Sequence, residues 1–283
     1  MPELPEVEAL AADLGARLSG RRVDRLEMLS FSALKTFDPP VTAVQGGVVE
    51  RAGRHGKFLD IVAGDLHIIV HLALAGWIRW RDQAPPASRP RRSPLAAGLV
   101  LEEGDGLDIT EAGTKKGLSI YVVRDPADVP GIAELGPDAL SVDEAAFARI
   151  LSSGGRKHIK RLLRSQSVIA GVGNAYSDEI LHAARMSPFQ PAQMSPEDVH
   201  RLYTAMRTTL EEALQRAQGL SAGELKREKK SSLAVHGRFG QACPVCADTI
   251  QQVVYSDSSF QYCPTCQTDG KRLSDRGMDR LLK

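Results

Sequence analysis

Two groups of residues in this 283-residue chain carry chemistry by type and spacing. The first is Cys243, Cys246, Cys263 and Cys266, two C-x-x-C pairs separated by sixteen residues; the chain has no other cysteine. Each pair offers two sulfurs from one tight turn, and Pro244 and Pro264 stiffen those turns. Four thiolates form a closed tetrahedral set for one structural Zn²⁺, a reading favoured over disulfides or free thiols. A closed set has no open ligand position, so the ion is expected to hold together a hairpin too small for its own core. The second group lies at the N-terminus. A proline behind Met1 permits methionine removal, which exposes a secondary amine titrating at about pH 8. Glu3 and Glu6 follow at helix-start positions. The positive end of a helix dipole disfavours protonation of such an amine, leaving part of it nucleophilic at neutral pH. Acidic residues beside a proline also make an ordinary helix start, and on residue types alone that is the commoner reading.

The elements that must position these groups follow from periodicity. Leu4, Val7, Leu10, Leu14 and Leu18 recur at helical spacing, so residues 5–18 are predicted helical, with Gly20 ending the run. From Val23 to Val123 the pattern changes to short strands, among them VTAVQGGVVE, KFLDIVA, LHIIVHL, GWIRW, AGLVLEE and LSIYVV. Many short strands after one helix predict a β-sandwich. A proline- and arginine-rich stretch at 84–94 reads as a mobile loop inside it. Residues 125–140 read as the passage to a helical region. One helix there is expected near Ser141, one carries Lys157, Lys160, Arg161 and Arg164, and one follows Asn174. The longest starts with Ser195 as N-cap, Pro196 at its first position, and Glu197 and Asp198 in its first turn. The fold class is therefore α+β and multidomain: 1–130 a β-sandwich with a leading helix, 131–231 helical, and 232–283 a cysteine-bearing module with a basic tail.

Charge is unevenly placed. Residues 1–150 hold 17 Lys/Arg against 22 Asp/Glu, and residues 151–283 hold 19 against 13, so the second half is the better polyanion binder. No apolar run reaches the length of a membrane span, and the acidic, proline-bearing start resembles no signal or transit peptide. A cytoplasmic monomer without membrane contact is the expectation.

Read together, the N-terminal MPELPEVE, RHGKFL (54–59), IIVHL (68–72), LGPDAL (135–140), QSVIAGVGNAY (166–176) and the terminal four cysteines resemble the formamidopyrimidine-DNA glycosylase and endonuclease VIII family, in order and along nearly the whole chain. The resemblance implies a β-sandwich joined to a helical domain with a helix–two-turn–helix motif and a zinc finger, with double-stranded damaged DNA between the domains. It implies base excision with abasic-site lyase activity. Pro2 would be the nucleophile at C1′ of a flipped-out nucleotide. Glu3 would carry protons at the sugar. Glu6 would support the active site, and Lys57, His71 and Asn174 would contact phosphates flanking the lesion. Gly171, Gly173 and Asn174 precede a helix, where backbone N–H groups cradle phosphate. Lys160 and Arg161, on the basic helix beside this motif, are expected to track the DNA backbone.

The pattern is broken in three places. Ser258 stands where the family's hairpin offers an arginine. Leu74 replaces the usual intercalating methionine, and TEAGTKKG (110–117) replaces the loop with the arginine–phenylalanine pair, leaving Leu74 as an apolar wedge or a core residue and Lys115 and Lys116 as phosphate contacts or solvated lysines. The segment 226–236 leaves little room for a long loop over 8-oxoguanine, which leans the lesion toward oxidised pyrimidines, abasic sites or an unusual lesion. A non-catalytic or lyase-only damage binder of the same fold is the alternative that Ser258 and Leu74 favour. A zinc-ribbon interaction module unrelated to DNA is disfavoured by the motifs outside the ribbon.

Overall fold

The computed structural model describes residues 1–83, 93–255 and 259–274. Most of the proline- and arginine-rich stretch, Ser258, and the tail positions Arg276, Arg280 and Lys283 lie outside the described residues. The chain forms two compact units, Met1–Glu134 with Ala217–Arg227, and Leu135–Arg216 with Glu228–Lys283.

The first unit opens with α1 (Leu4–Leu18), whose predicted stripe of Leu4, Val7, Leu10, Leu14 and Leu18 is buried. Strands β1 (Val23–Met28), β2 (Val49–His55), β3 (Phe58–Ala63), β4 (Leu66–His71), β5 (Gly76–Arg81), β6 (Leu95–Leu101), β7 (Gly106–Glu111) and β8 (Ser119–Val123) follow, and the short helix α2 (Pro130–Ala133) closes the unit. They build two four-stranded sheets, ordered β1-β6-β7-β5 and β2-β3-β4-β8, with every pair antiparallel. Alternate residues of the second sheet, Leu59, Ile61, Ile68 and Val70, share one core with Leu99, Leu101, Leu107 and Ile109 of the first. That is the sandwich expected from period-2 patterning. The opposite face of β3 and β4 is also covered, with Phe58 and Ile69 packing on Val123 and Val129. This explains why β3 reads as a nearly continuous apolar run.

One expected strand is different. Val41–Val44 is a 3-10 turn, Gly46 has φ +77°, and the strand begins only at Val49. The Gln45–Gly47 corner needs a left-handed residue, and the β-branched valines before it instead turn Val44 into the core.

The second unit contains α3 (Glu144–Gly154), α4 (Ile159–Arg164), α5 (Asn174–Ala183), most of α6 (Pro196–Ala217), the end of α7 (Ala222–Ser232), the hairpin β9 (Gln251–Val254) and β10 (Ser259–Tyr262), and α8 (Pro264–Thr268). Asp143 caps α3, its Oδ1 accepting from Ala146 N–H at 2.7 Å, so this helix starts a little after Ser141. Ser195 Oγ accepts from Asp198 N–H at 3.2 Å, the cap expected for α6. Where the sequence reading separates 131–231 from 232–283, the structure joins the helices and the cysteine module in one unit, and 217–227 return to the sandwich. Ala217, Ala222 and Leu225 belong to the sandwich core, and Trp77 Nε1–H donates to Ala222 O at 2.8 Å. Among the described residues no helix is long and apolar enough to cross a membrane.

Candidate active site and metal centre

The first turn of α1 removes two carboxylates from water. Glu3 is the N-cap residue and is 1% exposed, Glu6 is 2% exposed, and Pro2 is buried beside them. Glu6 Oε2 accepts the Glu3 N–H at 2.8 Å, one half of a reciprocal capping box between the two residues. Pro5 fits this turn because a first-turn residue needs no N–H donor. Burial of carboxylates is costly unless donors meet them, and the free N–H groups and dipole of a helix N-terminus do so. A helix start on the surface would leave these acids in water; here the fold encloses both, which makes this turn the candidate site.

Lys57 lies in the β2–β3 turn behind Gly56, whose φ is +54°, and is 8% exposed. At this end of the sheet His55, Phe58, His71 and Ser119 are successive cross-strand neighbours. The rings of Phe58 and His71 lie 4.6 Å apart. Burial, and then the positive charge of Lys57, push the His71 pKa down to about 4. The structure thus brings Lys57 and a neutral His71 together. The unfolded chain protonates His71 near pH 6.5, whereas the folded chain resists until about pH 4. The stability from neutral His71 is therefore complete above pH 6.5 and is lost as pH falls through that window. His71→Gln is expected to flatten the urea-unfolding stability profile between those limits by about 2 kcal/mol, allowing for partial exposure of the ring. Parallel profiles for the two proteins would contradict this.

Leu74 is 64% exposed and follows Ala73, which has φ +48°. It is not a core residue. Its loop touches the 112–117 loop through Ala112 N–H to Ala75 O at 3.2 Å. The buried Glu111 carboxylate closes that second loop, accepting from Gly117 N–H at 2.6 Å and Leu118 N–H at 2.8 Å. Lys116 Nζ donates to Glu111 O at 2.8 Å, and Lys115 is exposed.

In the second unit, Gln166 shapes the turn before α5. Its Oε1 accepts from Gly171 N–H at 3.0 Å and its Nε2 donates to Val172 O at 2.7 Å, while Gly171 holds φ +104°. Gly173 is the N-cap and Asn174 the first helical residue. Asn174 Nδ2 donates to Ser259 O at 2.7 Å. Lys160 does not sit on the exposed basic face. It is 4% exposed, and its ammonium reaches Asp178 Oδ1 at 2.5 Å, Ser177 Oγ at 2.7 Å and Asn174 O at 3.3 Å. This corrects its expected role: Lys160 braces α5 from below, and Arg161 and Arg164 are the exposed cations of α4. Sequence reasoning missed Asp178 and Glu179, two acids inside the buried run Ala175–His182 of α5. Glu179 accepts from the backbone N–H groups of Ala234, Val235 and His236 at 2.6, 3.0 and 2.8 Å. Burial still raises its pKa above the usual value.

The four cysteine sulfurs lie within 4.8 Å of one another. Three separations are 3.9 Å (Cys243–Cys266), 3.3 Å (Cys246–Cys263) and 3.4 Å (Cys246–Cys266). A tetrahedron of sulfurs about 2.3 Å from a central ion has edges of about 3.8 Å. The sulfurs are too far apart for disulfides, which need about 2 Å. The set can hold one metal ion, and thiolate chemistry fits a closed site. Burial pushes the Cys266 thiol up to about 11 and raises that of Cys263 further, so metal binding would displace protons.

Comparison with known proteins agrees with this geometry. The formamidopyrimidine-DNA glycosylase N-terminal domain matches residues 1–111 and the formamidopyrimidine-DNA glycosylase H2TH domain matches residues 135–223. A formamidopyrimidine-DNA glycosylase of Symbiobacterium thermophilum is 32% identical over 98% of this chain and 93% of its own length. An uncharacterized formamidopyrimidine-DNA glycosylase-like protein of Mycobacterium tuberculosis is 51% identical, covering 56% of this chain and 99% of its own length. The structure of the Lactococcus lactis Fpg with abasic-site DNA superposes with a TM-score of 0.81 at 25% identity, covering 94% of this chain and 99% of that one. The same enzyme with DNA containing an oxidized pyrimidine gives 0.82 at 25% identity, covering 94% and 100%. The chain belongs to the formamidopyrimidine-DNA glycosylase family.

Proposed function

We propose that this protein is a base-excision-repair DNA glycosylase with abasic-site lyase activity. The observation that carries the reading is the buried Pro2–Glu3–Glu6 start of α1 in a chain of this family. With Met1 removed, the Pro2 nitrogen attacks C1′ of a flipped-out nucleotide. A C–N bond forms, the bond from C1′ to the damaged base breaks, and the base leaves with a proton. Glu3 protonates the ring oxygen as the sugar opens. The resulting iminium acidifies the C2′ proton, whose removal expels the 3′ phosphate by β-elimination. A second, δ-elimination releases the 5′ side. Cleavage of a duplex carrying a natural abasic site tests this; an intact strand at long incubation would contradict it.

Lys57, the neutral His71 and Asn174 contact phosphate of the damaged strand. One N–H of the Asn174 amide is spent on Ser259 O, which leaves its second N–H for phosphate. Leu74, exposed at a loop tip, fills the stack where the base has left. The cysteines hold one structural Zn²⁺ that keeps the β9–β10 hairpin folded. The protein acts as a cytoplasmic monomer on double-stranded damaged DNA.

Helix α7 supports a preference for oxidised pyrimidines. Residues 222–232 form a helix pinned by Ala222 and Leu225 to the sandwich core, in place of a long loop that could close over a purine. Oxidised pyrimidines are expected to turn over at least tenfold faster than 8-oxoguanine in parallel single-turnover assays, a difference of about 1.4 kcal/mol in barrier. Faster removal of 8-oxoguanine would show that another element does the capping. Ser258, which supplies no charge to the phosphates, favours a second reading: a lyase that acts on abasic sites and excises few bases.

A further inference from the structure

Helix α5 carries Asn174, Asp178 and His182 four residues apart, and so along one face. Each of the three engages the cysteine module. Asn174 Nδ2 donates to Ser259 O at 2.7 Å. Asp178 Oδ2 accepts from Gln261 N–H at 3.2 Å and bonds His236 Nδ1 at 2.7 Å. His182 Nε2 lies 3.3 Å from Cys243 Sγ, and both residues are buried, at 6% and 3% exposed. The contact continues past the helix end, where Gln267 Nε2 donates to Met186 O at 2.9 Å and Gln267 Oε1 accepts from Cys263 N–H at 2.9 Å.

A thiolate bound to a metal can only accept, so a neutral imidazole facing it must carry its proton on Nε2 and donate. Four thiolates around one divalent ion leave a net charge of −2 in a small module, and N–H donors to sulfur spread that charge. Backbone N–H groups within the module serve two of the sulfurs, Asp248 donating to Cys246 and Cys266 to Cys263. Cys243 faces the His182 imidazole of α5.

We propose that His182 is an outer-sphere donor to the Cys243 thiolate and that, through the 174–178–182 face of α5, it ties metal occupancy to the placement of Asn174. His182 is thus a positioning residue. It touches neither DNA nor the reacting atoms; it holds the metal module in register with the helix whose first residue meets phosphate. The inference rests on the zinc reading of the cysteines.

The test compares wild type with His182→Phe and His182→Gln; the glutamine keeps an N–H donor. His182→Leu replaces the phenylalanine variant if that protein does not fold. Three readouts are taken: the rate of Zn²⁺ loss to a chromophoric chelator, the absorption bands of the Co²⁺-substituted protein, and affinity for a duplex bearing a tetrahydrofuran abasic analogue. Metal analysis of wild type should first give one zinc per chain; none would overturn the zinc reading and the inference with it. With zinc present, His182→Phe is expected to lose it 10–100-fold faster, with shifted sulfur-to-cobalt bands. His182→Gln should stay within a few-fold of wild type. Duplex affinity should fall in step with zinc loss. Unchanged zinc loss in folded His182→Phe would overturn the proposal, as would equal loss from the Gln and Phe variants or affinity indifferent to zinc.

Discussion

Protein that retains Met1 is expected to give no borohydride-trapped adduct with abasic DNA and no strand cleavage above background. Retention turns the Pro2 nitrogen into an amide, whose lone pair is delocalised into the carbonyl, so no iminium can form. The bond from Glu3 N–H to Glu6 Oε2 does not itself involve Met1. The effect is thus chemical, and thermal unfolding of the two forms should coincide. Glu3→Gln makes the complementary case. It keeps the amine and removes a proton carrier that is 1% exposed. Loss of a positioned general acid costs about 100- to 10,000-fold. Base excision should fall by that order, while processing of a ready-made abasic site falls much less. Equal loss on both substrates would assign Glu3 to a step after excision.

Loss of the metal is expected to have the second largest effect. Cys246→Ser removes one of four sulfurs that lie within 4.8 Å of one another. The binding energy of a structural zinc is folding energy for a module this small, of order 10 kcal/mol. The small cluster of Val235, Cys243, Ile250 and Cys263 cannot replace it. Affinity for a tetrahydrofuran duplex should drop at least tenfold, about 1.4 kcal/mol. The sandwich core should persist, since among the described residues it includes none beyond Leu225. Calorimetry is then expected to keep the sandwich transition while the zinc content falls to zero. Full zinc occupancy in the variant, or undiminished DNA affinity without zinc, would contradict the structural role of the ion.

Much of this was legible in the sequence because it is local. The α1 stripe, the alternating strands, the Ser195 cap and the paired C-x-x-C turns each depend on neighbours a few residues away. What escaped depends on partners far along the chain. In IKRLLR the position of Lys160 looks like part of a basic face, but partners fourteen to eighteen residues on, Asp178 foremost, draw it into the interior. The Val41–Val44 segment has strand-forming side chains, but the corner at Gly46 decides its path. Glu3 and Glu6 have the spacing of a capping box; their burial is set by the fold around them and marks them as more than a helix start. His182 has no local signature, since its partner Cys243 lies sixty-one residues away. Leu74 was readable either as wedge or as core, and its exposure behind the left-handed Ala73 rules out the core.

The central claim is that the Pro2 amine is the covalent nucleophile. Its most direct test is mass spectrometry of the borohydride-trapped complex formed on abasic duplex DNA by protein lacking Met1. After digestion, the sugar-derived mass is expected on the peptide that begins with Pro2, on its terminal nitrogen, with unmodified peptides covering Lys57. Lys57 is the serious rival, a buried lysine on the strand turn beside His71. A cross-link mapped to Lys57, or an adduct of undiminished yield in protein that keeps Met1, would contradict the assignment.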